Sequence, residues 1–406
     1  MSLEQFIQTV STKLHKSEEE SLDQITILAE VVKNEIFPKE RLNNYNIDIQ
    51  ILDKILTELL REGYASKYIS YDCENTDQVD FAVSLNEQCA YCKEVLLDSK
   101  NHIIRETYKL NSNFINLIGQ QKKERLNKYL IEDFRHNLDR LKNRTHKLIP
   151  FLGAGSSIPF KLPSWSKLLL ELNKGLTGSN KTKYEELIDK GDYLRALSFL
   201  KLYSGLYKNE QIIKKDIKDI LKQRYVKEVN SNYHNILDIL KLDTDFILTT
   251  NYDNIVSDYL RDYRDEFIMP QILENLDDLQ DLMDDNSQKV IHLHGNVEIP
   301  NSMIVTQDDY DKLYKSEKIK SILTGIMSHK TLLFIGFSFN DEYFKDLYDK
   351  IFEFIQGEHF IIVPNLHPFD ADELLKRNLI PIGINVDKNI EHDYVRAINT
   401  VLEELH

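Results

Sequence analysis

The sequence predicts an α/β fold, a doubly wound parallel sheet preceded by a mainly helical, winged-helix-like N-terminal domain. Three observations carry this. From residue 147 onward short apolar runs recur at "KLIPFLGAG", "DFILTTN", "KVIHLHG", "TLLFIGFSF" and "HFIIVPN", the pattern of buried parallel strands. Helical stretches such as "DYLRALSFLKLY", "EQIIKKDIKDILKQRY" and "DDYDKLYKSEKIKSILTGIM" lie between them, so strand and helix alternate as in βαβ units. Ahead of residue 111, helices precede two β-rich runs. The boundaries expected are an interaction domain over 1–110, a connecting helix over 111–146 and a Rossmann-like domain over 147–406.

Taken in order, "DQITILAEVVKNEI" and "IDIQILDKILTELLREGY" place apolar residues at helical spacing, the second ending before Gly63. "ASKYISYD" and "QVDFAVSL" then read as a β-hairpin. The second helix carries Asp48, Asp53, Glu58 and Glu62 against Lys54 and Arg61, a poor balance for reading DNA, so protein contact or oligomerisation is the role expected. "FINLIGQQKKERLNKYLIEDFRHNLDRLKNRTH" has the length and alternating charge of one long solvated helix. "KLIPFLGAG" is a buried strand ending in glycines, and "SWSKLLLELNK" opens a helix.

The 406 residues carry 51 Lys and Arg against 66 Asp and Glu, a net charge of -15. Such a surface repels a nucleic-acid backbone, so direct nucleic-acid binding is not expected. The amino end lacks a signal-peptide pattern and no apolar run reaches the length of a membrane span, so a cytoplasmic protein without membrane contact is expected. Cys73, Cys89 and Cys92 are the three cysteines. The C-x-x-C pair with Cys73 could begin a zinc site but lacks a fourth cysteine, and free thiols with no metal are expected. The acidic run "ENLDDLQDLMDDN" reads as a solvated face, because its carboxylates lack convergent spacing.

The predicted strands end in residues that a core does not need. These are Gly153-Ala154-Gly155-Ser156-Ser157, Thr249-Thr250-Asn251-Tyr252-Asp253, His294-Gly295, Gly336-Phe337-Ser338 and Pro364-Asn365. A glycine-rich turn from strand to helix lets backbone N–H groups approach a pyrophosphate. Alone, G-A-G is unspecific; no G-K-[ST] follows, and the third glycine of the usual dinucleotide fingerprint is missing. Asn251 has a second use, capping the helix that "YDNIVSDYL" begins. Of His292 and His294, which flank Leu293, one is expected to be only a satisfied core histidine. His294, before the glycine at the strand's end, is the catalytic candidate. Tyr252 and Trp165 are read as packing residues.

Together the five stations "GAGSS", "TTNYD", "LHG", "GFS" and "IVPN" resemble, in order, those of the sirtuin family, over roughly residues 145 to 400. The likeness is to its divergent bacterial branch that hydrolyses NAD in antiviral defence. It implies that Gly153, Ala154, Gly155 and Ser156 hold the NAD pyrophosphate. Asn251 would sit by the nicotinamide ribose, Asp253 near the carboxamide, and Gly336, Ser338 and Asn365 on the adenosine side. His294 would meet the ribose hydroxyls as general base. Breaking the C–N glycosidic bond develops an oxocarbenium-like centre, which needs an oriented water and a proton acceptor.

The departures from the family matter as much. Deacetylating sirtuins carry two zinc-binding C-x-x-C pairs between the H-G and G-T-S stations, and no cysteine lies between His294 and Gly336 here. Thr250 replaces the family's glutamine, and "IPFKLPSW" replaces the D-F-R loop. The expectation is a gated NAD glycohydrolase releasing nicotinamide and ADP-ribose, with NAD as substrate. The alternatives are an NAD-dependent deacylase or a non-catalytic sensor of NAD or ADP-ribose. A homo-oligomer is expected, and the resemblance adds possible activators: a phage protein, an Argonaute-like protein or an ATPase.

Overall fold

The computed structural model describes residues 2–405 apart from 46–48, 77, 98–99, 267, 277–287, 328, 339–341, 353–356 and 391. Most of the acidic run at 274–286 therefore lies outside the described residues. Two compact units are present, Met1–Arg125 and Leu126–His406. No described helix is long and apolar enough to cross a membrane.

In the first unit, helices Leu3–Leu14, Glu18–Val32 and Ile49–Arg61 surround a core containing Phe6, Ile25, Leu28, Phe37, Ile55 and Phe114. The first two start at capping boxes, Ser2 with Gln5 and Ser17 with Glu20, which satisfy end N–H groups that would otherwise lack partners. An antiparallel sheet follows, with strands β1 (Ile36–Pro38), β2 (Ala65–Cys73), β3 (Val79–Ala82) and β4 (His102–Leu110) in the order β1-β4-β2-β3. The hairpin expected from the sequence is β2 with β3. Strand β4, which pairs with β2 from Ala65↔Leu110 to Cys73↔His102, is a further strand that the hairpin reading did not include. Asp53 and the buried Glu58 on the third helix pair with Lys39 and with Lys13 and Arg61, and Glu62, just past its end, pairs with Arg61; Asp48 lies outside the described residues.

Among the described residues the second unit holds seven parallel strands: β5 (Leu148–Leu152), β6 (Phe246–Thr249), β7 (Gln271–Ile272), β8 (Lys289–His292), β9 (Thr331–Ile335), β10 (His359–Pro364) and β11 (Leu379–Ile384). Their order is β11-β10-β9-β5-β6-β8-β7. Side chains alternate across the sheet with period two. Leu152, Ile247, Val290, Leu333 and Ile362 enter one core, and their neighbours Phe151, Leu248, Ile291, Phe334 and Ile361 enter the other. Both faces are thus covered, which is why the strands read as unbroken apolar runs. From β5 the chain builds outward through β6 and β8, then crosses back to place β9 on the other side of β5. That reversal opens a crevice at the carboxyl ends of β5 and β9, where ligands of such sheets sit.

One expectation is corrected. Residues 114–146 do not form a single helix but two, Ser112–Tyr129 and Arg135–Lys142. The break comes from edge strand β11, which captures the backbone there: Ile131 N–H donates to Gly383 O at 3.0 Å and Asn385 N–H to Tyr129 O at 2.7 Å. Phe134 then packs so closely on Gly383 that a Cβ there would lie 2.3 Å from its ring.

Lys214 is 3% exposed and its Nζ lies 2.9 Å from Asp309 Oδ1, while Asp309 also accepts from the N–H groups of Val305 and Thr306. Lys214→Ala strands that carboxylate and should lower the unfolding free energy by about 3 kcal/mol in urea titration, with Lys214→Met recovering little. Unchanged stability would show that the pair is dispensable.

Burial pushes His234, His292 and His359 down to about 4 and His294 to about 3. Nδ1 of His234 and of His359 accepts from Ile236 N–H and Leu332 N–H, bonds available only to an unprotonated nitrogen. The unfolded chain therefore binds more protons than the folded one between about pH 6.5 and 4, so stability falls as pH falls through that window. The slope is about 1.4 kcal/mol per pH unit for each such histidine. A melting temperature flat from pH 7 to 5 would contradict it.

Candidate active site

The turn after β5 begins at Gly153 and continues as a 3₁₀ segment, Ala154–Phe160. It lies against the turn after β9: Gly153 N–H donates to Ile335 O at 2.9 Å and Gly155 N–H to Gly336 O at 2.8 Å. A Cβ on Gly155 would stand 2.7 Å from Gly336 O, and Gly336 itself has φ +78°. Glycine is required on both sides of this contact, one for space and the other for backbone angle. Ser156 closes the turn, its N–H and Oγ both bonded to Gly153 O.

Beside this junction lies a cleft of about 1030 Å³, bordered by Ala154, Gly155, Gly336, Ser338 and Asn365 among others. That matches the upper end of the range of about 300–1,000 Å³ typical of small-molecule sites. A smaller cavity of about 80 Å³ is lined by Asn251 and Asp253 and shares Ala154, Trp165 and Thr250 with the cleft. The cleft's rim carries Asp189, Asp370, Asp372 and Glu373 against Lys190 and Lys376, so charge alone does not draw an anion in.

Asn251 follows β6 and is 9% exposed. Its Nδ2 lies 3.0 Å from Gly153 O, 3.2 Å from Ser156 Oγ and 2.9 Å from Ser157 Oγ, so the amide ties β6 to the glycine turn. It does not cap the helix Ile255–Arg264. Asp253 accepts the Ile255 N–H there at 3.2 Å, and its other oxygen accepts from Ser157 Oγ at 2.8 Å. Burial, with Ser157 and backbone donors opposing it, raises the Asp253 carboxyl above its usual range. Asn365 borders the cleft with φ +51°, while its side chain pairs at 2.8 Å with both the N–H and O of Val386.

The two histidines part company. Strand β8 ends at His292, so the alternation that would keep residues two apart on one face stops there. His292 Nδ1 lies 3.0 Å from Asn251 O. His294 is 1% exposed, with Nε2 2.8 Å from Tyr314 Oη and Nδ1 3.2 Å from Tyr310 Oη, and the Lys350 ammonium lies over both tyrosine rings. It borders neither cavity. Burial first, and Lys350 second, keep the imidazole neutral. One tyrosine donates to its bare nitrogen and the other accepts from its N–H.

The structure thus places Ala154, Gly155, Gly336, Ser338 and Asn365 on the cleft and Asn251 and Asp253 on the smaller cavity, with Gly153 and Ser156 inside the turn bonded to Asn251, and it holds His294 against Tyr310 and Tyr314. Sequence reasoning named Ser157 and Thr250 within their stations but gave them no role; Ser157 bonds Asn251 and Asp253, and Thr250 lines both cavities. It read Trp165 as packing. The ring does lie 5.9 Å from that of Tyr252, yet it also lines both cavities. The signal for Trp165 was its place as the chain's one tryptophan just after helix cap Ser164.

Comparison with known proteins agrees with this architecture. Residues 245–382 match the SIR2-like domain, a segment that runs from β6 to β11 and includes Asn251, His294, Gly336 and Asn365. Several relatives share the name NAD(+) hydrolase ThsA. That of Enterococcus faecium is 30% identical over 47% of this chain and 37% of its own length. That of Bacillus cereus (strain MSX-D12) is 27% identical over 52% and 42%, and that of Acinetobacter baumannii (strain 532279) 28% over 57% and 45%. The chain spans less than half the length of these curated relatives. The matched segment takes in the strands from β6 to β11 and the turns after β6, β8, β9 and β10, and over that stretch this chain is similar to the SIR2-like domain.

Proposed function

We propose that this chain is an NAD glycohydrolase, converting NAD and water to nicotinamide, ADP-ribose and a proton. The observation that carries the reading is the junction of the Gly153 and Gly336 turns at the sheet's reversal, with Asn251 bonded into it beside a cleft of about 1030 Å³. The likeness to proteins named as NAD hydrolases supports it. In this reading the pyrophosphate lies on Gly153–Ser156, the adenosine side along Gly336, Ser338 and Asn365, and the nicotinamide riboside toward Asn251 and Asp253. The missing cysteines between His294 and Gly336 favour hydrolysis over protein deacylation.

The chemistry asks little of the leaving group, since nicotinamide departs neutral. The electron pair of the C–N bond goes to nicotinamide, water adds to the ribose carbon, and a neutral imidazole takes the water's proton. His294 is assigned that role. In the described conformation it is enclosed by Tyr310 and Tyr314, so it acts only after that wall opens. Three of the turn's N–H groups are likewise bonded within the protein. Both facts favour a gated enzyme whose resting form is closed. An unrestrained activity would drain the cell, and we assign the N-terminal domain (1–110, followed by the connecting segment 111–146) to oligomerisation or to docking an activating partner in antiphage defence in the cytoplasm.

The test is nicotinamide release from NAD by the full chain, alone and with candidate partners. Asn251→Ala and His294→Ala should each lose about 100-fold or more in rate. Loss in His292→Ala with full activity in His294→Ala would move the base to His292. In cells under phage challenge, equal NAD levels in wild type and Asn251→Ala would remove the defence role. Tight NAD binding without turnover under every condition would favour the sensor.

A further inference from the structure

The first unit contains a second constellation with its own chemistry. Cys73 ends β2 and His102 begins β4, and the two are directly paired across the antiparallel ladder, so their side chains share a face. Between β3 and β4 the described residues of 83–101 carry neither helix nor strand, a long connection to leave without a purpose. That connection folds back on itself: Gln88 and Val95 form an isolated bridge, Cys89 N–H donates to Glu94 O at 2.9 Å, and Lys93 stands at φ +67°. The result is a tight knuckle that points Cys89 and Cys92 at Cys73 and His102.

The four ligand atoms lie within 4.8 Å of one another, and Cys92 Sγ is 3.4 Å from His102 Nε2. A tetrahedral zinc with Zn–S near 2.3 Å sets its sulfurs about 3.8 Å apart, so binding needs only slight contraction. Cys73 and Cys89 are buried, and Cys92 and His102 half-buried. The Tyr91 N–H points at Cys89 Sγ at 3.3 Å, a bond that favours the thiolate form a metal requires. The surrounding apolar cluster consists of Tyr71, Cys73, Ala82, Cys89 and Leu96, flanked by Leu85 and Cys92, too small a core to hold a connection of this length by burial alone.

We propose that Cys73, Cys89, Cys92 and His102 bind one zinc ion as a closed structural site that pins the knuckle at 88–95 to the sheet. The sequence reading stopped at three cysteines; the fourth ligand is a histidine brought in by strand pairing, ten residues beyond Cys92. Binding displaces the thiol protons of three cysteines and leaves no open coordination position, so the ion has no part in the cleft's chemistry.

The full chain, purified and dialysed against metal-free buffer, should carry about one zinc per molecule by plasma mass spectrometry. Cobalt-substituted protein should show thiolate-to-cobalt charge transfer with the visible bands of tetrahedral geometry. Cys89→Ser combined with Cys92→Ser should bring zinc below about a tenth per chain, whereas His102→Cys, which keeps four soft ligands in place, should retain about one. Asn251→Ala should keep its zinc. Wild-type protein isolated without metal, a Cys89–Cys92 disulfide in its place, or zinc retained by the double variant would each overturn the proposal. If the double variant does not fold, the wild-type cobalt spectrum and His102→Cys still decide.

Discussion

The second unit depends on one close approach of two backbones, Gly155 against Gly336. Strands β5 and β9 are neighbours in the sheet but far apart in the chain, and the turns that leave them meet at 2.8 Å between N and O. Any side chain on Gly155 would push them apart. With the turns in contact, the Gly153 carbonyl is presented to β6, where Asn251 takes it. Asn251 in turn orders Ser157, Ser157 bonds Asp253, and Asp253 holds the first turn of the helix Ile255–Arg264. Three strands and one helix start are thus joined through a chain of short polar contacts in a region with little water, where such bonds strengthen one another.

The fold was largely legible because its strands announce themselves. Runs such as "TLLFI" are apolar without alternation, and only a sheet covered on both faces uses such strands. The crevice was legible too, since glycine and small polar residues are unnecessary at strand ends unless something is held there. What could not be read was which backbone meets which. Nothing near Gly383 marks it as the place where edge strand β11 interrupts the helix at 130–134. That break is a long-range bond between Ile131 and Gly383 overriding a continuous helical pattern.

The histidines show the same limit at the scale of a site. His292 and His294 have identical local chemistry and stand two residues apart. Their surroundings differ because the strand stops between them, and a hydroxyl wall from the helix Gln307–Lys315 encloses only the second. His102 was hidden for a related reason. Its partner Cys73 lies 29 positions away by number (102 minus 73), and the register of β2 with β4 alone makes them neighbours.

The hydrogen bonds of Asn251 also restrict what it can offer a ligand. Its Nδ2 is shared among Gly153 O, Ser156 Oγ and Ser157 Oγ, more acceptors than two N–H bonds can fully serve. Releasing that amide would uncouple β6 from the glycine turn. The group left over is Oδ1, which accepts no hydrogen bond among the described residues and belongs to a side chain that lines the smaller cavity. A carbonyl oxygen there suits a donor such as a sugar hydroxyl, and its negative end faces favourably toward positive charge growing on an adjacent ring. An amide is also the one side chain that can hold the turn as donor and meet such a group as acceptor with no net charge. A carboxylate would repel the Gly153 carbonyl and add to the acidic rim. The residue's structural and chemical roles on the proposed reading are therefore the two ends of one planar group.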